Sequence, residues 1–196
     1  EKLKFNIINS KVFSSKDWNI QDKRTIDIFK KFKSFATLGC ITTNIFQGPK
    51  SGADDVFILK KKHKQGKNMF CFSRSLNEMV ELEESILKKY VKGKYIRRYK
   101  IDLDANETTI YPYYENGKLI SINEIKRKYP LTFNYLNQPK NKNILLSREK
   151  GRFKNSWWQY SRPQNMSIVF NKKILTPFNA FYNSFSYDPI GDFVFS

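Results

Sequence analysis

Short runs of β-branched and aromatic residues interleave with amphipathic stretches in no regular order along these 196 residues, and that irregularity most narrows the fold. A doubly wound parallel sheet needs strand and helix to alternate. The order found here predicts α+β architecture, with twisted, largely antiparallel sheets and several packed helices. Residues 20–38 set Ile26, Phe29, Phe32, Ala36 and Leu38 on one helical stripe, and Gly39 ends it. Residues 40–46 and 56–59 read as strands flanking a glycine-dependent turn at 48–52. Residues 76–91 predict a helix: Met79, Leu82, Ile86, Leu87 and Tyr90 share a face, with acids near its start and Lys88 and Lys89 at its end. Residues 95–103 and 108–114 read as strands. Ser121-Ile122-Asn123-Glu124 has capping-box form and opens a helix toward Tyr129, while Pro130 starts another that runs to about Leu136. Residues 166–170, 174–176 and 180–196 return to short β-like segments.

Charge is the second constraint. Thirty-six Lys and Arg against eighteen Asp and Glu leave +18, a balance that favours a polyanionic partner. Twenty-eight of the bases are Lys, in a chain also rich in Asn and Ile, a profile that the codon bias of an AT-rich genome produces alone, so the total by itself is modest evidence. Position says more than total. Residues 88–100 hold Lys88, Lys89, Lys92, Lys94, Arg97, Arg98 and Lys100 without an acid, and residues 140–173 hold one acid, Glu149. The acids gather elsewhere, at Glu78, Glu81, Glu83 and Glu84. Cys40, Cys71 and His63 are too few and too scattered for a zinc site and read as reduced thiols and a loop imidazole of a cytoplasmic protein. No apolar run approaches the ~20 residues that span a bilayer, and there is no signal-peptide pattern. A start at Glu1 rather than Met reads as that of a piece of a longer chain.

A search for catalysis finds little. The lone histidine sits in Lys60-Lys61-Lys62-His63-Lys64, where no nucleophile has an obvious base. Asp54 and Asp55, neighbours on a strand, would point to opposite faces and serve as turn caps. Glu81, Glu83 and Glu84 read as a solvated helix face, and the glycines at 48 and 52 lack both phosphate-loop fingerprints. Binding features are stronger. Arg148-Glu149-Lys150-Gly151-Arg152-Phe153-Lys154 followed by Trp157-Trp158 sets phosphate-gripping groups beside planar ones. One of the two tryptophans is expected in the core. Arg97, Arg98, Arg148, Arg152 and Arg162 can grip phosphate or read a guanine edge, and an arginine of this set that turned inward would close an internal salt bridge instead.

These residues also carry a resemblance. The segment from Gln47 through Gly48-Pro49-Lys50-Ser51-Gly52-Ala53-Asp54-Asp55-Val56-Phe57-Ile58 to Leu59 resembles the first motif of the TaqI-like specificity domain. That family is the C-terminal target-recognition domain of many adenine-N6 DNA methyltransferases and fused type II restriction-modification enzymes. The residues from Glu84 to Tyr99, with Gly93 and Arg98-Tyr99, are similar to its second stretch, and Ile110-Tyr111-Pro112-Tyr113 to a strand that follows. Tyr129-Pro130, Tyr135-Leu136 and Leu145-Leu146-Ser147-Arg148 come next in order. Trp157-Trp158, Arg162-Pro163, Lys173-Ile174, Pro177, Phe185, Asp188 and Gly191 complete the series. Ser51 stands where the family carries Thr, and Lys89 where it carries Pro.

The resemblance implies residues 1–40 as a helical connection to a catalytic methyltransferase domain of the same parent chain, and 41–196 as a target-recognition-like domain for double-stranded DNA. It implies no cofactor in this chain, since the S-adenosylmethionine site and the Asn-Pro-Pro-Tyr motif belong to the parent's other part. Gly52, Asp54 and Phe57 are then scaffold. DNA contacts are expected from Lys60, Lys61, Lys62 and Lys64, from Arg97, Arg98 and Lys100, from Arg148, Lys150, Arg152 and Lys154, and from Trp158 and Arg162. Other readings of the residues stay open: a module for RNA or single strands, suggested by the Tyr and Phe content, and a protein-binding domain whose charge is codon bias. A membrane-surface role is disfavoured, because no helix joins a basic face to a strongly apolar one.

Overall fold

The computed structural model describes residues 23–103 and 106–196. The chain divides into two compact units, Glu1–Ile45 and Phe46–Ser196, a later boundary than the one expected after residue 40. In the first, α1 (Lys23–Phe32) lies within the stretch read as helix, whose residues 20–22 fall outside the described ones. Residues 40–46 do not form the expected strand. They begin inside a one-turn helix, α2 (Leu38–Ile41), closed by Cys40 N–H to Thr37 O and by the Thr42 hydroxyl to Leu38 O, local bonds that satisfy the backbone without a strand partner.

The second unit is mixed α+β. A short helix, α3 (Asp54–Phe57), leads into β1 (Ile58–Gln65), followed by β2 (Asn68–Ser73), β3 (Glu78–Glu83) and β4 (Leu87–Val91). Two small strands, β5 (Ile96–Arg97) and β6 (Lys100–Ile101), precede β7 (Glu107–Ile110). Three helices then run in series: α4 (Ile122–Lys128), α5 (Pro130–Asn137) and α6 (Pro139–Ser147). The chain ends with β8 (Lys173–Leu175), β9 (Ser186–Asp188) and β10 (Phe193–Phe195). Six strands form one sheet in the order β10-β4-β7-β1-β2-β3, antiparallel except where β10 runs parallel to β4. Strands β5 and β6 form one separate antiparallel pair, and β8 and β9 another.

The largest departure from the sequence reading is at 76–91, where a helix was expected and β3 and β4 stand. Arg74 to Asn77, with Asn77 at φ 60°, turn the chain tightly so that Ser73 to Asn68 face Glu78 to Glu83 residue by residue. Val80 and Leu82 then fall on the face of Cys71 and Met69, so the apolar positions serve a period of two as well as they would a helix. The glutamates gain specific jobs. Glu83 accepts from Leu131 N–H, Thr132 N–H and the Thr132 hydroxyl at 2.7–3.0 Å, capping the start of α5, and Glu81 accepts from Asn68 at 2.7 Å. Asp54 and Asp55 likewise sit on α3 rather than on a strand: Asp54 accepts from the Ser51 hydroxyl at 2.6 Å, and Asp55 pairs with Arg74 at 3.1 Å. Residues 166–170 are turns, not β structure, and α6 follows an unanticipated start at Pro139. The serine cap is as read, with Glu124 N–H donating to Ser121 Oγ at 3.2 Å, while the Glu124 carboxylate turns to Tyr114 and Lys128 instead of closing the box.

One core joins α3, the sheet, α4 to α6 and the 157–169 segment. Tyr135 reaches across it, donating to Val56 O at 2.8 Å beside Ser73, and Asn141 ties Ser75 to Tyr135 O. Tyr160, fully buried, lies edge-on to Phe57 and Tyr111 and donates to Ile110 O at 2.7 Å. Burial pushes the phenols of Tyr90, Tyr111, Tyr113 and Tyr160 well above their ordinary value, and the Cys71 thiol up to about 11. A raised folded value means stability is complete below the unfolded pKa and falls as pH climbs past it, from about 9 for the thiol and about 10 for the phenols. Arg148, lowered to about 10, acts with opposite sign but is a single group. Urea unfolding should therefore show stability about 2 kcal/mol lower near pH 10 than at neutrality, with a further rise in phenolate absorbance on unfolding as the buried rings reach solvent.

Candidate nucleic-acid interface

Two exposed hairpins carry most of the anticipated basic contacts. On the first, β1 and β2 turn at Gly66, and Lys60, Lys62 and Lys64 are exposed, while Lys61 is half-buried on the Cys71 side. A register shift between Lys61 and His63 breaks the alternation, so consecutive lysines reach solvent. His63 lies flat against Phe70, ring centroids 4.6 Å apart, and Lys64 pairs with Glu84 at 2.5 Å. On the second, β5 and β6 turn through Arg98 and Tyr99, the latter at φ 67°, leaving Arg97, Arg98 and Lys100 exposed. The Arg98 guanidinium lies 5.3 Å from the Tyr99 ring. Lys60, Lys62, Arg97, Arg98 and Lys100 make no salt bridge among the described residues. A depression of about 140 Å³ joins the two hairpins at their bases, lined by Lys61, Lys89, Tyr95, Asn106 and Glu107 among others. Glu107 bonds Arg74 through Oε1 at 3.4 Å, and its buried Oε2 has no hydrogen-bond partner among the described residues.

The third group divides. Arg148, expected at the DNA, is 7% exposed and forms the hub of the interior. It donates to four carbonyls: Leu145 at 3.1 Å, Ser51 at 2.7 Å, Gln159 at 2.9 Å and Trp157 at 2.6 Å. Phe57 and Phe153 lie against its guanidinium. All its reach is spent inside, so it is corrected to scaffold. Trp158 is corrected too: its indole N–H donates to Ile120 O at 2.8 Å and its ring packs edge-on to Trp157, so both tryptophans are buried rather than one. Lys150, Arg152 and Lys154 remain exposed, with Arg152 paired to Glu149 at 3.4 Å. Arg162 is exposed, and its backbone bridges to Lys50. Gly52 belongs to this scaffold: at φ 70° it lies so close to Ser161 that a Cβ would stand 1.9 Å from the hydroxyl.

The basic 88–100 segment meets the end of the chain rather than the 148–154 loop. Lys88 lies over Phe170, β10 runs beside β4, and the Ser186 hydroxyl donates to Arg97 O at 2.9 Å. This brings forward residues that were not anticipated as a site: the loop between β8 and β9, with Phe178, Phe181 and Tyr182 almost wholly exposed. Their signal in sequence was an uncharged run of aromatics spaced by Asn and Ser, which reads equally as buried strand. Among the described residues no group of three or more His, Cys, Asp or Glu could hold a metal, and no helix is long and apolar enough to cross a membrane. Comparison with protein-family models and with curated proteins returns no match for this chain.

Proposed function

We propose that this chain reads duplex DNA, as the target-recognition part of a site-specific adenine-N6 DNA methyltransferase or fused restriction-modification enzyme. The observation that carries the reading is the set of exposed bases Lys60, Lys62, Arg97, Arg98 and Lys100, without a salt bridge among the described residues, on two hairpins that border one depression. The ordered resemblance to the TaqI-like specificity domain supplies the class. The chain has no Asn-Pro-Pro-Tyr motif, so the reading assigns methyl transfer and S-adenosylmethionine to a catalytic partner domain. Lysines here supply attraction to phosphate, and Arg97 and Arg98 can add bidentate contacts to phosphate or guanine.

Titration of a mixed-sequence duplex at increasing salt tests this. Five bases on phosphates should give a log-log slope near −4 and an affinity loss of about 10²–10³-fold between 50 and 200 mM salt. Removing Arg97, Arg98 and Lys100 together should reduce that slope by about 2–3. Single strands that outcompete the duplex would favour the alternative RNA or single-strand module. Affinity indifferent to salt, or to loss of these bases, would sink the DNA reading altogether.

A further inference from the structure

The loop between β8 and β9 presents apolar rings to solvent where folding offers them nothing. Phe178 is 86% exposed, Phe181 fully so, and Tyr182 nearly so, with Tyr99 at 79% on the neighbouring hairpin tip. Three large rings this exposed within five residues are uncommon in a folded chain unless something covers them. The loop is held at both ends. Its start packs Pro177 against Gly93, where even a Cβ would come within 3.3 Å of Pro177 Cα. Its end is bonded to the β5–β6 hairpin, Tyr99 N–H donating to Phe185 O at 2.8 Å and the Ser186 hydroxyl to Arg97 O. The rings therefore project from a clamped base, at little further cost in order on binding.

Charge selects the occupant. Arg97, Arg98 and Lys100 lie on the hairpin bonded to the loop's end and make no salt bridge among the described residues, while Asp188 and Asp192 of the following turn are paired with Lys173 at 2.7 Å and Lys89 at 2.5 Å. Apolar rings fringed by free guanidinium and ammonium groups match a partner with a polyanionic rim and flat apolar faces inside it, which is a nucleic-acid duplex opened at a base step.

We infer that Phe178, Phe181 and Tyr182 form a wedge that enters the duplex and unstacks a base step, while Arg97, Arg98 and Lys100 hold the flanking phosphates. The inference rests on the DNA-reading proposal and extends it from attraction to deformation. A wedge gains most where stacking is already weak, so a duplex with a central unpaired base is bound about tenfold more tightly than the intact duplex. The probe is a 30-base-pair duplex with 2-aminopurine at its centre, with and without a single-base bulge. Binding of the full chain raises 2-aminopurine fluorescence about threefold, because unstacking relieves its quenching. The variant Phe178→Ser/Phe181→Ser/Tyr182→Ser alters exposed side chains only; it loses the fluorescence rise and the bulge preference while its salt slope, set by the bases, stays the same.

Salt-dependent binding by the unaltered chain with no fluorescence rise and no bulge preference overturns the wedge and leaves DNA reading standing. A rise that survives in the triple variant overturns it as well, and a patch that instead pairs with an acidic protein while 2-aminopurine stays silent does the same. Failure to bind either duplex overturns both proposals.

Discussion

Arg148→Ala is expected to destabilise the fold by about 5 kcal/mol, lowering the melting temperature by roughly 10–20 °C. The cause is what the side chain leaves behind. Carbonyls of Leu145, Gln159 and Trp157 lose this donor in a site closed by Phe57 and Phe153, and the Ser51 carbonyl is left with the Ser161 N–H alone. Those carbonyls come from the Gly52 turn, the end of α6 and the tryptophan segment, so one guanidinium joins three parts of the chain. Arg148→Lys should recover little, because a single ammonium cannot span the four acceptors that a planar fork reaches. Arg152→Ala, four residues on and exposed, should stay within about 0.5 kcal/mol of the parent chain. Thermal and urea unfolding of the three variants checks this. An Arg148→Ala protein that melts within a few degrees of the parent would overturn the scaffold role.

Lys173→Met is the second large effect. Lys173 and Asp188 form an ion pair of 2.7 Å with side chains 6% and 1% exposed. Asp188 also accepts from Asp192 N–H at 3.0 Å and Phe193 N–H at 3.2 Å, and so shapes the turn that leads into β10. Removing the lysine leaves a buried carboxylate without its cation, which costs about 3–5 kcal/mol. The double change Lys173→Met/Asp188→Asn should regain part of the loss, because the amide carries no charge and its oxygen still accepts one of the two turn N–H groups, the other losing its acceptor. Equilibrium unfolding of single and double variants reads the difference. Equal stability of the two would mean that the charge is not the cause. Gly191 closes the same turn at φ 73°, with the Phe170 carbonyl 1.7 Å from where a Cβ would stand.

Local chemistry was legible where a few adjacent residues decide the outcome. The Ser121 cap, the proline at the start of α5 and the turn at Gly52 need only neighbours along the chain. Periodicity failed at 76–91, since Val80, Leu82 and Leu87 satisfy a helix stripe and a strand face alike, and the choice fell to pairing with β2 and β7. Helix α6 escaped notice because Lys-Asn-Lys-Asn shows no apolar stripe, and its buried Asn141 is held by Ser75, distant in sequence, as well as by the Tyr135 carbonyl of the preceding helix.

The same division runs through the candidate site. The amino-acid sequence alone determined the excess of positive charge, the α+β class, the glycine turns and the segments where the bases lie, because each is a property of composition or of near neighbours. Which bases face outward was decided only by tertiary structure. Arg148 and Arg152 are alike in sequence context, yet one turns in to four carbonyls that distant segments deliver and the other stays in water. Lys173 is a base in a basic stretch until Asp188 arrives from across a hairpin and buries it. The aromatic loop was the reverse: residues whose type suggests a core stand outside it, because Pro177 and Phe185 pin both of its ends while its middle is left without a partner. A charge or a ring declares what it can do, but burial is set by groups far along the chain, and only the fold brings those together.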